Sequence, residues 1–454
     1  MISSPALRLV AGTLAVVAGG AEQLAADFYE RLFAARPDLL RDQFNRADHA
    51  TGRQARALAG TIVEHAVRVV APVLPLSTRG LDPRDRDPAD DDGAVLAELA
   101  GVATARLGSA GAGASSDDEV ARLALRHAAL GVTRDEYAVF GEHLVGALRS
   151  VLGDRATPAV VEAWQEVWVD LAGQLADRVE AVQRSADLEP DDPWREAIVT
   201  DKRLAAEDVV ALTLVSADNE PLPGYAAGQF ASIQVELPDG ARQIRQYSLR
   251  GGDDEQWRVS ARVLPAGPGA PAGEVSTHLL EAVGVGDVVR VSAPLGDLVL
   301  DRFGSDPLLL VSAGIGCTPV LGMLDRLVRS GSTRPVTVLH FERTPERHAH
   351  RAELEALVGR LPGGVLRVSY TQGALSTPDD NGEYLDPVDV RSLAVGDRHR
   401  VFLCGPVPFM SIVRDALVDS GLDPARVHYF VFGPDDGSVT GPGARRRRRE
   451  ARWA

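Results

Sequence analysis

The spacing of apolar residues changes period twice along this chain, and that constrains the fold more tightly than any single motif. Up to about residue 187 they recur at helical intervals, as in Leu24, Phe28, Leu32 and Phe33. From Trp194 they alternate in short runs separated by Gly and Pro: Val209–Val215, Phe230–Leu237, Arg245–Leu249, Trp257–Val263 and Val288–Val291. From Pro307, apolar strands take turns with helical stretches, as in Leu308–Ser312 before Val320–Arg329. At 454 residues the chain is too long for one core. The pattern predicts a multidomain protein: an all-α domain over 1–187, an antiparallel β-barrel over 194–301, an α/β domain over 306–436 and a basic tail over 437–454.

The helical part is broken at Pro37, and a second apolar face starts with Leu58, Ile62 and Val69. Helical patterns return over Val120–Leu130, Glu136–Val151 and Pro158–Val182. Between them, residues 77–118 carry Asp82–Pro88, Asp90–Asp92 and a Gly/Ser stretch, so they are expected to form a solvated inserted loop. Glu189–Pro193 reads as a hinge, because two prolines and three acids neither continue a helix nor bury a face. Arg8 and the apolar run Leu9–Ala18 have the composition of a secretory leader. Helical periodicity continues unbroken to Phe33, however, and favours an ordinary first helix. No run of eighteen apolar residues predicts a membrane span.

A net charge of −16 excludes nucleic acid as the main partner, since neutralising phosphates needs a basic face. The only cysteines, Cys317 and Cys404, lie far apart, which fits a reducing, cytoplasmic setting. The arginines Arg445–Arg449 are expected to be a solvated end.

Two motifs carry chemistry. Arg245-Gln246-Tyr247-Ser248 on a strand combines a fixed cation for a diphosphate, an aromatic face for a ring system and a hydroxyl for a ring edge. It lies between Gly228-Gln229-Phe230 and Gly273-Glu274-Val275-Ser276. Ala313-Gly314-Ile315-Gly316-Cys317-Thr318-Pro319 follows a strand and opens a helix, where glycines admit a phosphate or ring and free N–H groups attract anions. Cys404-Gly405-Pro406 forms a second such turn, although Cys404 suits a buried strand thiol equally well. Together these residues read as a flavin site beside a nicotinamide dinucleotide site. Electrons from such a pair need an acceptor, and the helical half is where it is expected.

These motifs recur in the same order in the ferredoxin reductase-like flavoproteins, which residues 195–434 resemble. In the helical half Phe28-Tyr29, Phe44-Asn45, Gln54, Leu58, His127, Tyr137 and Gly141-Glu142-His143-Leu144 stand in the order found in the flavohaemoglobins. The whole chain therefore resembles that family, a globin fused to a reductase.

The resemblance implies haem b, FAD and either NADH or NADPH as cofactors. It implies His127 as the axial ligand to the haem iron, chosen over His65 and His143. Tyr29 and Gln54 match the distal hydrogen-bond donors, while Phe44 and Leu58 match apolar haem contacts. A Tyr and a Glu support the axial His in the family. Tyr137 matches the first; aligning on Ala163-Trp164 puts Val179 at the second, with Glu180 one helical step, about 100°, further round.

Tyr225, Gln229, Arg245, Gln246, Tyr247, Ser248 and Ser276 match the flavin side, and Gly314, Gly316, Thr318, Cys404, Gly405 and Pro406 the nicotinamide side. Phe432 matches an aromatic near the flavin ring, but Phe430 and Val431 replace an acid and a cysteine. Arg343 and Arg347 follow the strand that reads the adenosine ribose and leave NADH versus NADPH open.

The implied activity is a nitric oxide dioxygenase that uses NAD(P)H, dioxygen and nitric oxide. An NAD(P)H oxidase with another acceptor and a haem gas sensor are the alternatives.

Overall fold

The computed structural model describes residues 2–71, 116–186, 193–218, 220–251, 256–267, 271–296, 298–371 and 395–432. The basic tail, most of the 77–118 insertion and most of the hinge lie outside the described residues. The chain divides into two compact units, meeting between Val182 and Gln183.

Among the described residues the first unit is all helical: α1 Ser4–Gly19, α2 Ala21–Ala35, α3 Pro37–Asp42, α4 Arg46–Ala50, α5 Arg53–Val70, α6 Ser116–Ala129, α7 Arg134–Leu152 and α8 Pro158–Ser185. Its single core takes Val10, Leu14 and Val17 from α1, Leu24, Phe28 and Leu32 from α2, and Leu144 and Leu148 from α7. Each of these pairs is three or four residues apart and so shares a helix face. Every leucine so buried contributes about 1.5–3 kcal/mol. The apolar N-terminal run is thus part of this core. No single described helix is long and apolar enough to cross a membrane.

Sequence details explain how the helices start and stop. Asn45 caps α4 by accepting from Ala47 N at 3.0 Å. Trp164 on α8 donates to the Thr13 hydroxyl on α1 at 2.9 Å, which satisfies two buried polar groups at once. A Cβ on Gly141 would stand 2.5 Å from the Trp168 indole nitrogen, so only glycine lets α7 approach α8 there. Helix α6 begins at Ser116, inside the last residues of the expected loop.

The second unit starts with an antiparallel sheet of β1 Arg195–Ala206, β2 Val209–Ser216, β3 Phe230–Glu236, β4 Arg242–Ser248, β5 Trp257–Arg262 and β6 Val288–Val291, with α9 Glu274–Glu281 before β6. The strand order is β4-β3-β6-β1-β2-β5. This is the expected antiparallel β domain, in which among the described residues no ladder joins β4 to β5. One backbone hydrogen bond, Arg250 N to Arg258 O at 3.0 Å, brings the two edges together. Its core is built on Leu212, Ile233, Trp257, Leu279 and Val291.

A parallel sheet follows: β7 Leu308–Ala313, α10 Cys317–Arg329, β8 Val336–Glu342, α11 Arg351–Gly359, β9 Val365–Tyr370, β10 Arg400–Cys404, α12 Val407–Asp419 and β11 Val427–Phe430. The order β11-β10-β7-β8-β9 means that the chain builds outward from β7 on one side, then crosses to the other. The reversal lies between β7 and β10. In open α/β sheets a ligand crevice forms at the carboxyl ends of the strands on either side of such a reversal.

Candidate functional site: a haem pocket and a two-part redox cleft

In the helical unit the geometry is set by the turn between α6 and α7. Gly131, at φ 69°, lets the chain leave α6, and Val132 N donates back to His127 O at 3.0 Å. Glu136 accepts from Thr133 N at 2.9 Å and from Gln43 Nε2 at 3.2 Å, which starts α7 and ties it to the chain after α3. With both helix ends fixed, Tyr137 in the first turn of α7 reaches back to α6. Its hydroxyl lies 2.7 Å from His127 Nδ1. Burial, aided by the neighbouring Arg126, lowers the His127 pKa to about 4, so the ring is neutral near pH 7. Nδ1 is engaged, which leaves Nε2 for a metal.

The expected distal pair also meets. Tyr29 is buried on α2 in an aromatic cluster, with ring centroids 4.8 Å from Phe28, 5.5 Å from Phe33 and 6.2 Å from Phe44. Burial raises its pKa, and a hydrogen bond from the Gln54 side chain partly opposes the shift. Gln54 Oε1 is buried without a hydrogen-bond partner among the described residues. Phe44, Gln54, Leu58 and His127 are all only half-buried beside a closed core. A neutral imidazole, two apolar walls and a pair of neutral donors fit a haem. Among the described residues no group of three His, Cys, Asp or Glu could hold a bare metal ion instead.

Glu180 is not brought to the His127–Tyr137 pair. Arg134 holds its carboxylate at 2.6 Å on a partly exposed surface, and Val179 takes the inward position at 2% exposure.

In the second unit Arg245 and Tyr247 alternate along β4 and share a face, opposite Ile233 and Ala231 of β3. Arg245 Nη1 donates to Ile244 O at 2.7 Å. Ser248 is buried on the other face, and Gln246 is exposed. Gln229 accepts from Ala226 N at 2.7 Å, and Tyr225 donates to Gly251 O at 2.7 Å; these bonds brace the loop before β3. Gly228, at φ 109°, is obligatory because a Cβ would run into the Leu298 carbonyl. Ser276 Oγ donates to Gly273 O at 3.0 Å at the start of α9, and no side chain caps that helix, so its first N–H groups are available to an anion. This donor set fits a flavin diphosphate beside an aromatic ring face.

The predicted nicotinamide turns meet where the sheet order reverses. Cys404 is in register with Ser312, so Gly405 and Pro406 lie beside Gly314 and Gly316. A Cβ on Gly316 would collide with the Cys404 carbonyl, and one on Gly405 would stand 3.0 Å from Ala313 Cβ. Thr318 donates to Ile315 O at 3.0 Å and locks the turn. Both cysteines are buried free thiols, so Cys404 contributes packing and a backbone shape. Phe432 lies beyond the end of β11 and is 47% exposed.

Sequence reasoning missed the support under Gly314. The Arg262 guanidinium lies 2.7 Å from where a Gly314 Cβ would be and pairs with buried Glu342, the last residue of β8, at 2.8 Å. An acid closing the strand after the glycine turn was the available signal. Arg347 is committed to Asp208 rather than standing free.

Three families match in sequence: Globin over residues 90–175, Oxidoreductase FAD-binding domain over 196–300 and Oxidoreductase NAD-binding domain over 310–415. The Flavohemoprotein of Rhizobium meliloti is 30% identical over 444 residues, covering 96% of this chain and 99% of the relative. The chain belongs to the flavohemoproteins. The Bordetella pertussis Flavohemoprotein is 31% identical over 95% of this chain and 99% of its own length. The crystal structure of flavohemoglobin from Malassezia yamatoensis, with bound FAD and heme, matches with a TM-score of 0.75 and 30% identity, covering 95% of this chain and 100% of that one. This flavohemoprotein is accordingly an oxidoreductase whose cofactors are haem, FAD and a nicotinamide dinucleotide.

Proposed function

We propose that this flavohemoprotein is a cytoplasmic nitric oxide dioxygenase, which uses NAD(P)H and dioxygen to convert nitric oxide to nitrate. The observation that carries the reading is the pairing in one helical unit of His127 with Tyr137, 2.7 Å apart, and of Tyr29 with Gln54, on a chain that also carries a complete reductase. Bound haem supplies a redox-active, oxygen-binding iron, and FAD accepts a hydride and releases single electrons.

The chain's own residues do the rest. With Nε2 of His127 given to iron, Nδ1 carries the proton and donates it to the Tyr137 hydroxyl, which fixes the ring orientation and enriches the ligand. Tyr29 stays protonated because burial raises its pKa, so a neutral hydroxyl is available to donate toward a gaseous ligand across the working pH range. Gln54, hydrogen-bonded to Tyr29, orients that hydroxyl. Phe44 and Leu58 exclude water, which strengthens each polar contact in the pocket. In the reductase unit Arg245 and the α9 N-terminus would hold the flavin diphosphate, Tyr247 would offer its ring to the flavin, and the Gly314–Gly316 turn would admit the nicotinamide dinucleotide.

The test is a His127→Ala variant of the full chain. Oxygen-dependent consumption of nitric oxide and the Soret band should disappear, while NAD(P)H-ferricyanide reduction persists. Unchanged nitric oxide consumption rejects the proposal.

Val179 and Phe430 favour a second reading, an NAD(P)H oxidase with another acceptor, because the acids of the family are missing there. Stoichiometric peroxide release without nitric oxide identifies that enzyme.

A further inference from the structure

The reductase unit holds a cavity of about 480 Å³ that none of the flavin or nicotinamide residues above lines. Its walls are β1, β2 and β5 on one side and α10 and α11 on the other. Four arginines converge on it: Arg203, Arg250, Arg258 and Arg360. Three acids share the lining, but two of them are committed. Glu353 is bound by Arg250 at 2.9 Å and lies 3.6 Å from Arg203, and Asp325 is held by Arg329 at 2.6 Å. Only Asp201 remains to oppose the other guanidiniums.

Arg250 is the decisive residue. It is 1% exposed, yet it lines the cavity. Its Nη1 serves both Glu353 oxygens and its Nε the Ser260 hydroxyl at 3.0 Å, whereas Nη2 has no partner among the described residues. That Nη2 faces the open cavity, where an anion can accept from it. The guanidinium of Arg258, half-buried nearby, has neither a hydrogen-bond nor an ion-pair partner among the described residues, and the same holds for the guanidinium of Arg360 at the rim.

We propose that this cavity is an accessory site for a small organic polyanion, bearing phosphate or carboxylate groups, distinct from the flavin and dinucleotide clefts. Guanidinium forks match the paired oxygens of both groups. The buried Leu212 and Leu357 give the cavity an apolar floor, which an organic body covers and an inorganic ion leaves bare. The volume lies within the roughly 300–1,000 Å³ of ordinary small-ligand sites.

The experiment is calorimetric titration of the FAD- and haem-loaded full chain at low salt, with AMP, citrate and inorganic phosphate as separate probes. Saturating NAD+ is present throughout to block the dinucleotide cleft. AMP or citrate should bind one to one and more tightly than inorganic phosphate. The Arg258→Gln, Arg360→Gln double variant should weaken that binding at least about tenfold, as expected for losing two charged contacts, with NADH-ferricyanide activity unchanged. AMP binding alone identifies a phosphate ligand, and citrate binding alone a carboxylate ligand. No binding of either organic probe overturns the proposal, as does tighter binding of inorganic phosphate or binding that the double variant leaves intact.

Discussion

Glu180 Oε1 lies 2.6 Å from Arg134 Nε, while its neighbour Val179 faces the core of the helical unit. One step along α8 thus separates an acid on the surface from the inward position. A Glu180→Gln variant is expected to keep its haem spectrum and its turnover within about twofold, since exposed ion pairs contribute little. Loss of turnover with an intact spectrum would show that the acid acts on the haem after all.

Tyr137 is the support that the structure does bring to His127. Tyr137→Phe keeps the ring and removes only the hydroxyl 2.7 Å from Nδ1. Removing such a partner typically costs about 10–100-fold in metal affinity or activity. The expected outcome is faster haem loss and a shifted haem reduction potential, with flavin reduction by NAD(P)H unaffected.

The Gly314–Gly316 turn tolerates no side chain. Gly316→Ala would press a methyl into the Cys404 carbonyl, an overpacking worth roughly 1–3 kcal/mol. KM for the nicotinamide should rise while bound FAD stays near one per chain. An unchanged KM would mean that the dinucleotide does not use this turn.

His65 gives a pH prediction. It is 3% exposed on α5, and neither ring nitrogen has a hydrogen-bond partner among the described residues. Burial, with help from Arg68 and against Asp170, lowers its pKa from 6.5 to about 4. Between those values the unfolded chain binds a proton that the folded chain refuses. Its contribution is therefore fully present above pH 6.5 and is lost as pH falls toward 4, at up to about 1.4 kcal/mol per pH unit. Denaturant midpoints of a His65→Leu variant should show a flatter acid limb; an unchanged slope would contradict it.

Much of this architecture was legible because the local signals agreed with the global fold. Leu24, Phe28 and Leu32 recur at the helical period, and Leu308–Val311 is a run buried on both faces. Strand β1 was missed because its register shifts between Val199 and Asp201 and again between Leu204 and Ala206, so its side chains do not alternate cleanly. Whether β4 and β5 join was equally hidden, since that depends on how the two edges approach in space. At the site, the meeting of His127 with Tyr137 could be expected from the resemblance, but its cause, the Gly131 turn with Thr133 and Glu136 behind it, is a tertiary arrangement. The Arg262–Glu342 pair joins residues 80 positions apart and leaves no local trace.

The most direct test of the account supplies nitric oxide and NADH to the holoenzyme and counts nitrate, with and without dioxygen. One electron is needed for each nitrate, so aerobic turnover should yield about two nitrates per NADH consumed, and anaerobic samples none. Oxygen-independent nitrate, or NADH oxidation that yields peroxide and no nitrate, would contradict the proposed function.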